Sequence, residues 1–72
     1  MKKAKHKEIE IITADGSRHY QLSHIESQWQ VLWQEVHRMV PIGEGRTQDD
    51  ALAIIRDHVS AHFGGVQQVK IR

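Results

Sequence analysis

The chain has 72 residues, a formal net charge of +1 and no cysteine. A chain this short builds one core and one domain, with a net stability of about 3–5 kcal/mol. Without cysteine it forms neither disulfides nor thiolate metal sites, which fits a reducing compartment.

No apolar run approaches the roughly 18 residues of a membrane-spanning helix. The basic start, Met1 to Lys7, leads into Glu8-Ile9-Glu10-Ile11, where a secretory leader would carry an apolar stretch. The expectation is a cytoplasmic protein with no membrane association.

The net charge hides an asymmetry. Lys2, Lys3, Lys5 and Lys7 are four of the ten Lys and Arg residues, and from Glu8 onward six basic residues stand against nine acidic ones. We therefore expect a flexible basic tail over residues 1–7, followed by a mildly acidic α+β domain over residues 8–72. A body of that sign is a poor surface for a phosphate backbone, which clustered Lys and Arg recognise.

In chain order, Ile9 and Ile11 alternate with Glu8 and Glu10, the period of a half-buried strand. Asp15-Gly16 follows as a hairpin turn, since Gly accepts the positive φ that such turns require. Tyr20 and Leu22 alternate on the returning strand. Ser23-His24-Ile25-Glu26 matches a helix capping box. Ile25, Trp29, Leu32, Trp33, Val36, Met39 and Val40 fall within an arc of about 120° on a helical wheel. That pattern predicts a first helix ending before Pro41, with Val31 pointing away from its apolar stripe.

After the glycine loop Ile42-Gly43-Glu44-Gly45-Arg46, Thr47 is placed to cap a second helix, with Asp49 and Asp50 at its positive end. Ala51, Leu52, Ile55, Val59 and Phe63 line one side of it, and Gly64-Gly65 supplies a left-handed cap. Val69 and Ile71 alternate in a last strand. The predicted fold is α+β in the order β-β-α-α-β, a three-stranded sheet with two helices packed on one face. A last strand beside the first is expected to run parallel to it.

Chemistry-bearing constellations are few. His58 and His62 are spaced i, i+4, as zinc ligands on a helix are, but Asp57 points elsewhere and no third ligand converges. His62 falls within the apolar arc and reads as a core histidine. No metal site and no cofactor are expected. Ser17, Ser23, Ser27 and Ser60 lack the surroundings of a nucleophile, and Ser23 is engaged as a cap. Asp49 and Asp50 are explained by their helix end. No catalytic residues are assigned, and the chain is read as non-enzymatic.

The residues expected on the outer sheet face (Glu8, Glu10, Ile12, His19, Gln21, Gln68, Lys70 and Arg72) include no aromatic ring on which bases could stack. Val31, Ile54 and, on the outer sheet face, Ile12 fall outside the predicted core, Trp33 stands at the edge of its stripe, and aromatic residues are enriched at interfaces. The sequence therefore points to a small accessory or regulatory protein that binds another protein or a second copy of itself, with Val31, Trp33 and Ile54 as interface residues. The alternative is nucleic-acid binding through Lys2, Lys3, Lys5 and Lys7.

Overall fold

The computed structural model describes residues 5–71. Five strands and one helix follow one another as β1 (Lys5–Thr13), β2 (Gly16–Ile25), β3 (Gln28–Glu35), β4 (Arg38–Gly45), α1 (Gln48–Phe63) and β5 (Gln68–Ile71). The strands form one antiparallel sheet in the order β4-β3-β2-β1-β5. This overturns the expected three-stranded sheet with two helices. It also overturns the expected parallel pairing, because β5 runs antiparallel to β1, with Ile9 opposite Ile71 and Ile11 opposite Val69.

The correction lies in the segment from His24 to Val40, which is strand and hairpin instead of helix. Trp29, Val31 and Trp33 alternate with Gln28, Gln30, Leu32 and Gln34, so the stretch carries a period of two, broken only at Leu32, as well as a helical one. Rings and a β-branched residue suit the pleated surface. The supposed capping box is mid-strand at Ser23, and its Glu26 lies in a two-residue turn, where Glu26 and Ser27 have φ of 51° and 66°. Pro41 does not stop a helix. It lies in β4, an edge strand, beside a register shift of the β3–β4 ladder, and both are places where a residue without an N–H is tolerated.

The remaining elements follow their local signals. The β1–β2 hairpin closes over Ala14 and Asp15, and the positive φ falls on Gly16. Thr47 caps α1, its Oγ1 accepting from the Asp50 N–H at 3.1 Å, and Gly64 ends it at φ 83°.

α1 lies on one face of the sheet, chiefly over β3 and β4. Ile9, Ile11, Tyr20, Leu22 and Val31 from the sheet meet Ala51, Ile55 and Val59 from the helix, all 2% exposed or less. The approach is close because β4 presents glycines there. A Cβ on Gly45 would stand 2.8 Å from Asp50 Cβ and 3.0 Å from the Ala51 backbone nitrogen, and one on Gly43 would meet Ile54 at 3.2 Å. Two glycines expected only to loosen a loop therefore form the floor on which the helix rests.

That packing sets the three expected interface residues in or against the core. Val31 is fully buried, opposite Leu22 in the sheet. Trp33 and Ile54 are half-buried against the core, and Ile54 occupies the space left by Gly43. Each looked misplaced only because the assumed helices put the core elsewhere. Of the expected tail, Lys2 and Lys3 lie outside the described residues. Lys5 opens β1, and Lys7 is within it, its Nζ donating to Gln48 Oε1 at the start of α1 at 2.9 Å.

Candidate functional site

The sheet has a second face that α1 does not cover. Because side chains alternate along a strand, the pairing places five cross-strand rows there. They run His6–Ser23–Gln30–Glu44, Glu8–Gln21–Leu32–Pro41, Lys70–Glu10–His19, Gln68–Ile12–Ser17 and, at the β3–β4 end, Gln34–Met39. Carboxylates and amides dominate, as the sequence suggested for its β1, β2 and β5 members. The chain's four aromatic residues, Tyr20, Trp29, Trp33 and Phe63, all belong to the helix side, in the core or packed against it.

One corner of this open face is apolar. Leu32 lies opposite Pro41, and Met39, 39% exposed, lies opposite Gln34. Beside them the β3–β4 turn carries Val36, which is 80% exposed and has φ of 43°. A β-branched residue in the left-handed region is a genuine outlier, because Cβ crowds the following carbonyl. A shallow open depression of about 280 Å³ adjoins this corner, lined among others by Glu8, Glu10, His19, Gln21, Gln34 and Met39. Nothing in the sequence flagged the corner: Glu35-Val36-His37-Arg38 holds no Gly or Asn, so the usual hairpin signal is missing.

Ser23 and His6 form the arrangement on this face closest to catalysis. Ser23 Oγ stands 2.9 Å from His6 Nδ1, and the Gln21 side-chain amide donates to that nitrogen at 3.0 Å and to Oγ at 3.3 Å. A nucleophile and its base need such a distance. Ser23, however, is only 3% exposed and sits on a strand paired on both sides, facing His6 and Gln30. The ladder thus takes up the backbone N–H groups that an oxyanion hole would require. The group acts as a polar plug over a buried hydroxyl.

A second cluster lies under the C-terminal half of α1. The Tyr20 hydroxyl, in a residue 2% exposed, is 2.7 Å from His58 Nδ1. Trp33 and His62 flank the His58 ring at 4.9 and 4.5 Å between centroids, and the Arg18 guanidinium lies 4.4 Å above the Phe63 ring. Burial pushes the Tyr20 hydroxyl up to about 12, against a lowering pull from Arg18. Burial also holds the His58 imidazole below its ordinary value, and His62 adds repulsion. The histidine pair is thus reversed from expectation, with His58 half-buried and His62 exposed. Among the described residues no group of three or more His, Asp or Glu side chains converges on a point that could hold a metal ion.

Compared with protein-family models, with curated proteins and with solved structures, the chain matches none. Among the described residues no helix is long and apolar enough to cross a membrane.

Proposed function

We propose that the chain is a small non-enzymatic accessory protein that works by binding another protein, through the apolar corner of its open sheet face. The observation that carries this reading is Val36. Folding gains nothing from a valine 80% exposed at a position that favours glycine. A strained residue without a packing role is a reason to look for a contact outside the chain. Met39, Leu32 and Pro41 extend the patch, and Gln30, Gln34 and Glu44 give it a polar surround, the layout of a protein interface with its dry centre and wet rim. The missing aromatic platform and the carboxylates on this face weigh against a nucleic-acid partner.

Affinity capture from native lysate, with and without nuclease, tests the reading on three chains: wild type, Val36→Gly and Met39→Glu. Glycine should raise stability by about 1 kcal/mol as strain is relieved, while both variants lose the captured protein. A partner retained by both variants, a partner released by nuclease, or no capture by the wild type would overturn it.

A further inference from the structure

The Tyr20–His58 pair ties the helix to the sheet with a bond whose direction depends on a proton. With the neutral ring protonated at Nε2, Nδ1 accepts from the Tyr20 O–H at 2.7 Å. A second proton on the ring turns Nδ1 into a donor to the Tyr20 oxygen, and the Tyr20 hydroxyl proton, in a residue 2% exposed, loses its acceptor. The same proton places a positive charge 4.5 Å, ring to ring, from His62.

The groups around this point come from every element packed there. Arg18 and Tyr20 belong to β2, and Trp33 to β3. His62 and Phe63 belong to α1 itself, and Asp15 of the β1–β2 turn shares an open cleft with His62 and Phe63. Arg18 and His62 both oppose a further positive charge.

The two halves of α1 are anchored differently. Ala51 and Ile55 are fully buried in the first half, over glycine-floored β4. Beyond Ile55 only Val59 is fully buried, and the ring contacts that attach this half are those of His58 with Tyr20 and Trp33 and of Phe63 with Trp33.

We propose that the Tyr20–His58 bond is a proton-operated latch: acidification frees residues 59–63 of α1 from the sheet while the first half of the helix stays docked. Release uncovers Trp33 and the edge of the core, so the latch regulates a surface on the opposite side of the sheet from the apolar corner. It stands independently of the binding role proposed for that corner.

The lowered pKa of His58, from burial first and His62 second, fits this direction. Such a group contributes stability that is fully present above the ordinary imidazole value of 6.5 and is lost as pH falls from there through the folded-state value.

Amide hydrogen exchange on the full chain, corrected for intrinsic rates, reads the latch directly. Between about pH 7.5 and about pH 5, either side of the imidazole range, protection of amides 59–63 should fall by about fivefold, the factor one hydrogen bond represents. Amides 51–55 should keep their protection. His58→Asn keeps an acceptor near the Nδ1 position and cannot be charged, so its exchange should not respond to pH. Should that variant fail to fold, Tyr20→Phe removes the hydroxyl to be orphaned and should shrink the response. His62→Ala should move the midpoint to higher pH. Equal loss along the whole helix, no loss in the wild type, or an undiminished response in whichever of His58→Asn and Tyr20→Phe is folded would overturn the latch.

Discussion

The two faces of this sheet are made by the same strands and obey different rules. On the covered face Ile9, Ile11, Tyr20, Leu22 and Val31 meet the helix and are almost fully buried. One residue along, Glu8, Glu10, Gln21 and Gln30 face the open side. Burial makes the first set sensitive to single atoms, since interiors are packed as densely as crystals. The second set lies outside the packing of α1 and is exposed or half-buried, which leaves its face free to carry an exposed apolar corner.

The largest expected effect separates the faces directly. Leu22→Ala should cost about 3 kcal/mol through lost burial and a residual cavity, whereas Leu32→Ala, one strand over on the open face, should cost well under that. Chemical denaturation of the two variants measures the contrast, and equal losses would mean that the open face is buried after all. Next comes the glycine floor. Gly45→Ala should destabilise by about 2 kcal/mol, because the new methyl meets backbone that cannot step aside. Gly43→Ala should cost less, because it meets only the Ile54 side chain and no backbone. Thermal unfolding ranks the pair, and the reverse order would displace the helix from its assigned seat.

The smallest effect is absent at neutral pH. Tyr20, raised to about 12 by burial, contributes stability that is complete below the ordinary tyrosine value of 10 and is lost as pH climbs from 10 through 12. Tyrosinate absorbance against pH should show this one residue titrating late, together with unfolding. A normal midpoint would mean that the hydroxyl reaches solvent.

The open face was partly legible before any coordinates. Alternation at Glu8, Glu10, Ile12, His19 and Gln21 placed those residues outward. Val36 and Met39 were not legible, because a two-residue turn without glycine looks like continuing helix. The Tyr20–His58 bond joins residues 38 positions apart, and spacing along one element could only pair His58 with His62. Ser23 was a cap by motif and is a buried strand residue in fact, since the same hydroxyl serves either role until the backbone direction is known.

Residues 8–22, 47–64 and 68–71 are determined locally. The Asp15-Gly16 turn, the Thr47 cap and the Gly64 terminator each satisfy backbone groups within a few residues, so no distant contact is needed to choose the conformation. Residues 24–45 are different. Trp29 and Trp33 fit a helical stripe and a strand face alike, Leu32 fits only the stripe and Val31 only the covered strand face, and tertiary structure breaks the tie. Pairing with β2 on one side and β4 on the other buries Val31, and the glycines of β4 admit α1 over it. The energy that selects strand over helix there comes from contacts far apart in the chain, which no window of sequence contains.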